Sequence, residues 1–256
     1  MRNAAPTAAE WITRRPIAHR GLHNLEAGIA ENTLAAAHAA IESNYAIEVD
    51  IRPSADAVAI VFHDATLQRQ TGKDGRIEDY AAEDLCQFRI NGSDETIATL
   101  DRLLDLLGGR TGLFLEIKSD DVSERRLCEA FLLGLAERLK SYDGPIAVMS
   151  FDPAAVRTML RLAPNIPGGL VSRAYREPGD RDRFGGIGCW WRRNLISLLE
   201  TRASFVAYDA QALPALAPGL ARRAGLRLIS WTVRDEAEMR RIAAHVDQII
   251  FEGFRP

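Results

Sequence analysis

The sequence predicts an α/β fold of the (β/α)₈ TIM barrel class, and three observations lead to this prediction. Eight short apolar segments alternate with amphipathic helical patterns along most of the chain. The alternation extends over 256 residues, close to the length that such a barrel needs. Polar residues able to carry chemistry follow several of the apolar segments, which is where barrel enzymes have their sites. Periodicity alone does not distinguish this barrel from an open, doubly wound sheet.

The eight predicted strands are short runs of aliphatic and aromatic residues between turn signals. In chain order they are Ile17–His19, Ala46–Asp50, Leu113–Ile117, Ile146–Ser150, Gly168–Val171, Phe205–Tyr208, Arg227–Trp231 and Gln248–Phe251. The fifth is the weakest of these predictions, because it begins with two glycines and glycine is depleted in strands.

Helical patterns occupy most of the intervals between the predicted strands. They are Leu34–Ser43, Leu100–Leu107, Glu124–Lys140, Pro153–Leu162, Ala215–Arg223 and Glu236–Ala244. Asn32-Thr33 and Asp152-Pro153 are start signals, because a side-chain oxygen can cap the helix and proline suits its first turn. No helical pattern follows the last strand. The N-terminal segment at residues 7–15, TAAEWITRR, is a candidate helix that would fill that place or cover the bottom of the barrel.

Two segments interrupt the alternation. Residues 51–98 are too long for one helix and begin with a hairpin pattern that turns near Ser54–Asp56, so we predict an inserted subdomain after the second strand. Residues 172–194 are too polar and glycine-rich for a packed element, and we predict a loop that carries Trp190 and Trp191. The chain contains no low-complexity linker, so residues 1–256 are predicted to form a single domain.

Composition limits the partners and the compartment. A formal net charge of −3 argues against a nucleic-acid partner held by a broad basic surface. The three cysteines form no CxxC pair, which favours free thiols in a reducing compartment over a disulfide frame or a zinc site. No apolar run is long enough for a signal peptide or a membrane span. We therefore expect a cytoplasmic protein without a stable membrane anchor; its oligomeric state is not predicted.

Three carboxylates are predicted to meet at the mouth of the barrel. Glu48 and Asp50 in "AIEVD" point to the same side of the second strand, and Glu116 in "LFLEIK" lies near the end of the third. A lone pair of acids at a strand end is usually a solvated edge. If the strands are parallel neighbours, however, the three acids converge, and ionised carboxylates this close together need a compensating charge. A hard divalent cation such as Mg²⁺, Ca²⁺ or Mn²⁺ would supply it.

Two histidines and two cations open onto the same predicted mouth. His19 ends the first strand, and His63 in "VFHD" ends the returning arm of the hairpin. Histidine titrates near neutrality, so a pair beside a reacting centre can serve as general acid and general base. Arg20 and Lys118 add positive charge suited to a phosphate oxygen. Taken singly, His63 is more often an ordinary hairpin histidine and Lys118 a solvated strand-end cation.

Two aromatic residues are weaker candidates at this mouth. Trp231 ends the seventh predicted strand and could wall a pocket there, although a strand tryptophan is usually part of the core. Phe151 follows the fourth predicted strand at the corresponding place. A second histidine near the N-terminus, His23, lies beyond the Gly21 turn without an evident partner and is predicted to be a loop histidine.

Taken in order, these motifs resemble the glycerophosphodiester phosphodiesterase family. The matching pieces span nearly the whole chain and are AHRG at 18–21, ENT at 31–33, EVD at 48–50, FHD at 62–64, LEIK at 115–118, SF at 150–151 and WTV at 231–233. The resemblance implies a (β/α)₈ barrel with a small subdomain inserted after the second strand. It also implies metal-dependent hydrolysis of small glycerophosphodiesters to glycerol 3-phosphate and an alcohol.

The resemblance further implies a role for each candidate residue. The family's acid/base pair corresponds to His19 and His63. Its ligands for one divalent cation, Mg²⁺ or Ca²⁺, correspond to Glu48, Asp50 and Glu116. Its phosphate contacts correspond to Arg20 and Lys118, and its residues lining the alcohol side of the pocket correspond to Phe151 and Trp231.

The sequence departs from the family pattern at three places and does not show the family's usual closing helix. Ala30 replaces the usual proline before ENT, Asp56-Ala57 replaces a common Asp-Gly, and the last strand ends in "FEGFRP" where many members have Thr-Asp-x-Pro.

Two alternative functions stay open. One is a lysophospholipase D or phosphoinositide-type phosphodiesterase that acts on a lipid, for which Trp190 and Trp191 would form a lid. The other is a non-catalytic barrel that binds a phosphoester.

Overall fold

The computed structural model describes residues 10–119, 122 and 124–256, and in these ranges eight parallel strands close into a barrel. Ten strands are present there in chain order: β1 Ile17–Ala18, β2 Ala46–Pro53, β3 Ala59–Val61, β4 Ala98–Thr99, β5 Leu113–Ile117, β6 Ile146–Ser150, β7 Gly168–Ser172, β8 Phe205–Asp209, β9 Arg227–Val233 and β10 Gln248–Phe251. All except β3 and β4 belong to the barrel.

The pairing of β1 closes the barrel. Ile17 lies opposite Ala46 of β2 on one side and opposite Ile250 of β10 on the other, and both pairings are parallel. The remaining barrel strands follow one another in sequence order around the sheet. The predicted (β/α)₈ barrel is therefore confirmed and the open sheet is excluded.

In the same ranges, ten α-helices connect or flank the strands. They are α1 Leu34–Glu42, α2 Gln68–Thr71, α3 Ala82–Leu85, α4 Leu100–Leu107, α5 Arg125–Lys140, α6 Pro153–Leu162, α7 Pro178–Arg193, α8 Leu198–Thr201, α9 Leu216–Arg223 and α10 Glu236–Ile242. The predicted caps are present: the Thr33 hydroxyl accepts the Ala36 N–H, and the Asp152 carboxylate accepts the Ala154 N–H. Within the described residues, no helix has the length and apolar character that crossing a membrane requires.

The interior of the barrel is filled with apolar side chains toward its N-terminal end. These residues share almost complete burial and are Ile12, Ile17, Ala46, Phe114, Ala147, Met149, Val171, Phe205, Ala207, Ile229 and Ile250. Trp11 packs against the Phe114 ring at a centroid distance of 5.1 Å and is only partly exposed. The N-terminal segment thus covers the bottom of the barrel, with a short 3₁₀ helix at Glu10–Thr13; residues 7–9 of the predicted segment lie outside the described residues.

The insertion after β2 is a hairpin followed by short helices. β3 runs antiparallel to β2, with Pro53 opposite Ala59, and β4 pairs antiparallel with β3. These residues have a small core of their own, built from Ile60, Phe62, Leu67, Ile77, Leu85 and Ile97 among others. The Phe62 N–H donates to the Asp50 carbonyl at 3.0 Å, so the chain after β3 returns to the mouth of the barrel. This return brings His63 to the same end as Asp50.

Residues 172–194 do not form the predicted loop. Most of this segment is α7, whose start is held by a capping box between Glu177 and Asp180 and by Pro178 in the first turn. Gly185 has φ of +67° and divides α7 into two helical stretches at a kink. The glycines that argued against a packed element therefore lie around a kink inside a helix. Trp190 and Trp191 lie on this helix with exposed fractions of 50% and 42%.

Candidate active site

The carboxyl ends of the barrel strands surround a cavity of about 570 Å³. Eight of the nine predicted site residues line it, namely His19, Arg20, Asp50, His63, Glu116, Lys118, Phe151 and Trp231. The ninth, Glu48, is 1% exposed and lies beneath the cavity, where its Oε2 accepts the backbone N–H of Arg20 at 3.0 Å. The structure thus brings together all nine residues that the sequence singled out.

The three predicted acids form one cluster because of strand register. Glu48 and Asp50 are two residues apart on β2, so their side chains point to the same side of the strand. Asp50 lies directly opposite Glu116 on β5. One carboxylate oxygen from each residue lies within 4.8 Å of the other two. The residues are 1%, 1% and 8% exposed, respectively, so their mutual repulsion is poorly screened by water.

The electrostatics of this acidic cluster fit a divalent cation. Burial, together with the charges of Asp50 and Glu116, raises the pKa of Glu48 well above its ordinary value. Its Oε1 is buried and has no hydrogen-bond partner. Three oxygen donors, one of them an unpartnered carboxylate oxygen, are the kind of ligand set that Mg²⁺ and Ca²⁺ prefer. The chemistry of the residues present therefore fits a hard cation.

Two cations balance the other members of the cluster. Lys118 contacts Glu116 through its Nζ, which also lies 3.1 Å from Asp50 Oδ1. The Arg20 Nε lies 3.3 Å from Asp50 Oδ2. Burial would raise the pKa of Asp50, but the charges of Lys118, His63 and Arg20 outweigh it, so the pKa is lowered. The pKa values of Asp50 and Glu48 are therefore shifted in opposite directions, because the neighbouring cations contact Asp50 most closely.

Each predicted acid/base histidine has one ring nitrogen held by a carboxylate. His19 Nδ1 lies 2.6 Å from Glu252 Oε2, and His63 Nδ1 lies 2.6 Å from Asp64 Oδ1. On His19 the other nitrogen, Nε2, lies 3.9 Å from Glu48 Oε2 and so faces the acidic cluster. A carboxylate on Nδ1 fixes the ring orientation and favours the tautomer with the proton on that nitrogen. Nε2 is then the nitrogen that can exchange a proton with a bound molecule.

Four residues that support this arrangement were not among the predicted site residues. Asn32 exchanges two hydrogen bonds with Asp50, at 2.9 and 3.1 Å, and Glu31 accepts from Arg20 at 2.8 Å. Asp64 and Glu252 hold the two histidines. Glu31 and Asn32 belong to the quoted ENT motif and Asp64 to FHD. Glu252 directly follows β10, so the rule that singled out acids at strand ends would have found it.

His23 has a neighbour that the sequence did not suggest. Its Nε2 lies 3.7 Å from Glu252 Oε2, on the same carboxylate oxygen that contacts His19. The hydrogen bond from His19 lowers the pKa of Glu252, with the nearby His23 and Arg234 adding to the effect, although burial opposes it. His23 is not among the residues that line the cavity.

A tight turn places Arg20 beside the acids. Gly21 has φ of +78°, and a Cβ at this position would lie 2.7 Å from the Ala36 Cβ and 2.8 Å from the Ala36 carbonyl carbon. Only glycine allows α1 to approach the turn this closely. The turn also directs the Arg20 N–H toward Glu48, as described above.

The rest of the cavity lining includes several aromatic and basic side chains. Phe151 and Trp231 meet edge to face, with ring centroids 5.4 Å apart. Next to Phe151, α7 contributes Arg183, Phe184 and Arg192 to the lining, and the Arg192 Nη1 donates to the Phe151 carbonyl at 3.1 Å. Sequence reasoning missed these three residues because it predicts a loop for the segment that contains them.

Comparisons with known proteins agree on one family. The model of the glycerophosphoryl diester phosphodiesterase family matches residues 19–252. A glycerophosphodiester phosphodiesterase of Caldanaerobacter subterraneus is 28% identical, covering 91% of this chain and 92% of its own length. A solved phosphodiesterase of Oleispira antarctica, in complex with the product sn-glycerol-3-phosphate, has a TM-score of 0.74 at 24% identity and covers 92% of this chain and 91% of its own. A glycerophosphodiester phosphodiesterase of Thermotoga maritima has a TM-score of 0.69 at 23% identity, with 93% and 94% covered.

Proposed function

The chain belongs to the glycerophosphoryl diester phosphodiesterase family, and from this premise we propose that it hydrolyses glycerophosphodiesters to glycerol 3-phosphate and an alcohol. One observation carries the proposal: two carboxylate-held histidines and a buried acidic cluster line or underlie one cavity. The product named in the Oleispira antarctica complex belongs to the same reaction. We also propose that residues 1–256 act as one domain, since the 51–98 insertion supplies His63.

Glu48, Asp50 and Glu116 would hold one divalent cation, Mg²⁺ or Ca²⁺. When bound, such a cation polarises the phosphoryl group and offsets the negative charge that develops on it. Arg20 and Lys118 border the same acids, so their cationic groups are placed to contact the phosphate oxygens. Together these residues would orient the phosphate and stabilise its charge.

The two histidines would divide the proton transfers. One accepts a proton from the attacking oxygen, which is either a water or the substrate's own glycerol hydroxyl. The other donates a proton to the leaving alkoxide. Both arrangements are compatible with the contacts of His19 and His63, because each ring presents one carboxylate-held nitrogen and one remaining nitrogen.

The test of this proposal is an assay for glycerol 3-phosphate. The purified protein is incubated with glycerophosphocholine and glycerophosphoethanolamine, with and without EDTA, and released glycerol 3-phosphate is measured with a coupled dehydrogenase. We expect release that EDTA abolishes and that added Mg²⁺ or Ca²⁺ restores. Absence of release from every glycerophosphodiester, or release unaffected by EDTA, would refute the proposal.

A lipid substrate is the second candidate, favoured by the apolar surface of α7 and its neighbour. Ile187, Trp190, Trp191 and Leu199 are exposed there, by 82%, 50%, 42% and 86%. A lysophospholipid should then be hydrolysed faster above its micelle-forming concentration than below it. The named relatives are glycerophosphodiester phosphodiesterases, which supports the water-soluble diester instead.

Glu252 is predicted to be a positioning residue for His19. Glu252→Gln removes the carboxylate charge that faces His19 Nδ1 and allows the imidazole ring to take the other tautomer. We expect kcat to fall by about 10- to 100-fold, with KM within about twofold of the wild type. Steady-state kinetics on glycerophosphocholine measure both constants.

The control for this variant is His23→Ala, since His23 contacts the same carboxylate from outside the cavity. We expect His23→Ala to keep kcat near the wild-type value. If His23→Ala lowers kcat as much as Glu252→Gln does, or if Glu252→Gln leaves kcat unchanged, Glu252 does not act through His19.

A further inference from the structure

We propose that the part of the cavity lined by Phe151, Phe184 and Arg192 binds a negatively charged head group on the leaving alcohol, and that Arg192 recognises this charge. The inference rests on the proposed hydrolysis of glycerophosphodiesters and adds a substrate class to it. It commits the enzyme to diesters whose alcohol bears a phosphate or carboxylate, in preference to those whose alcohol bears a quaternary ammonium.

Arg192 is held at the cavity wall by neutral groups. The centre of its guanidinium lies 4.1 Å from the centroid of the Phe184 ring, and its Nη1 donates to the Phe151 carbonyl at 3.1 Å. Tyr175 also lines this part of the cavity. A stacked and partly bonded guanidinium has lost much of its freedom before a ligand arrives, which lowers the entropic cost of binding.

The charge of Arg192 is not neutralised by an acid. Two neighbouring arginines of the lining do have carboxylate partners: Arg173 pairs with Glu177 and Asp180, and Arg234 pairs with Glu252 at 2.9 Å. Across the part of the chain that the structure describes, no carboxylate lies within ion-pair distance of Arg192. A buried or half-buried cation without an anionic partner is stabilised when an anion binds.

Four other cations of the cavity lining are already paired with carboxylates. Arg20 pairs with Glu31 and Asp50, Lys118 with Asp50 and Glu116, Arg173 with Glu177 and Asp180, and Arg234 with Glu252. Arg192 lines the same cavity, and none of these carboxylates lies within ion-pair distance of it. Its positive charge is therefore available to a molecule that enters the cavity.

The Phe184 ring beside Arg192 is poorly placed for a quaternary ammonium. Such a cation binds over the open face of an aromatic ring. The Phe184 ring already has Arg192 at 4.1 Å and Arg183 at 5.0 Å from its centroid. A choline group would meet like charges there, whereas the fork of an arginine matches the paired oxygens of a phosphate or carboxylate.

The experiment compares three diesters that release the same glycerol 3-phosphate. Their leaving alcohols differ in charge: cationic in glycerophosphocholine, neutral in glycerophosphoglycerol and anionic in bis(glycerophospho)glycerol. The alcohol released from the last is glycerophosphoglycerol, which carries the second phosphodiester and is itself the neutral substrate, so only initial rates are compared. We expect the wild-type kcat/KM to be highest for the anionic substrate and lowest for the choline diester. Arg192→Ala should lower the ratio of kcat/KM between the anionic and neutral substrates by about 10- to 100-fold.

Arg193→Ala is the matched control, because Arg193 is the next residue of α7 and is not part of the cavity lining. It should keep the wild-type ratio. Arg192→Lys keeps the positive charge but loses the two-pronged guanidinium, so its ratio of kcat/KM between the anionic and neutral substrates should lie between those of the wild type and Arg192→Ala. If the alanine variant fails to fold, the lysine variant replaces it as the test. A wild type that prefers glycerophosphocholine, or an Arg192 variant with an unchanged ratio, would overturn the inference. Failure to hydrolyse all three substrates would instead contradict the proposed function itself.

Discussion

Replacing His19 or His63 with alanine will lower kcat by about 10²- to 10⁴-fold in each case, while substrate binding largely survives. General acid or base catalysis contributes a factor of this size when a single positioned group is removed. The phosphate contacts, Arg20 and Lys118, and the aromatic wall are untouched by either substitution. Steady-state kinetics give kcat, and calorimetric titration with glycerol 3-phosphate measures binding independently of turnover.

His38→Ala is the control for this pair, because His38 is exposed on α1 and lies outside the cavity lining. It should retain wild-type kcat. In the double variant of His19 and His63, kcat should fall by less than the product of the two single effects, because both groups act in one reaction. If either single variant keeps more than about a tenth of wild-type kcat, that histidine is not part of the acid/base pair.

The barrel was predictable because its strands are short, buried runs between strong boundary signals. The bounds of Leu113–Ile117, Ile146–Ser150 and Gln248–Phe251 agree with the prediction. β2 extends three residues further than predicted, to Pro53, because it continues out of the barrel to pair with β3. Local sequence does not contain that information, since the extension depends on a partner strand that follows the turn.

The site residues could be predicted where they lie at the carboxyl ends of strands. The cluster of Glu48, Asp50 and Glu116 follows from the two-residue periodicity of strands and from the assumption that the two strands are parallel neighbours. The same rule would have found Glu252 at the end of β10, but its contact with His19, 233 positions away, depends on the closure of the barrel and not on a local pattern. Arg192 was missed for another reason. Its place on the cavity wall depends on a helix that bends at Gly185, and glycine content argued against a helix there.

Replacing Glu48 with glutamine will abolish most of the activity without destabilising the cation-free protein. The glutamine side chain is nearly the same size as that of Glu48 and could still accept the Arg20 N–H, but it lacks the charge that a divalent cation requires. We expect the affinity for Mn²⁺, a probe for the hard-cation site, to fall by at least about tenfold to a hundredfold. Activity at a fixed, low cation concentration should fall by at least as much and recover in part at high concentration.

The stability of this variant follows from the raised pKa of Glu48. A carboxyl with a higher pKa in the folded than in the unfolded protein destabilises the fold as pH rises above its unfolded value. Glu48→Gln removes this penalty, so above about pH 5 the cation-free variant should unfold at the same or a higher urea concentration than the cation-free wild type.

With the cation bound, the wild type should instead be more stable than Glu48→Gln. A ligand that binds only the folded state adds about 2.7 kcal/mol to the free energy of unfolding when its concentration is 100 times its Kd. EDTA should therefore lower the Tm of the wild type loaded with Mn²⁺ and leave the Tm of Glu48→Gln almost unchanged. Glu42→Gln is the control, since Glu42 is exposed on α1, and it should respond to EDTA as the wild type does. Wild-type Mn²⁺ affinity in Glu48→Gln would contradict the assignment of Glu48 to the cation site. Loss of cation affinity together with a less stable cation-free fold would show that the Glu48 charge stabilises the barrel, against the direction of its pKa.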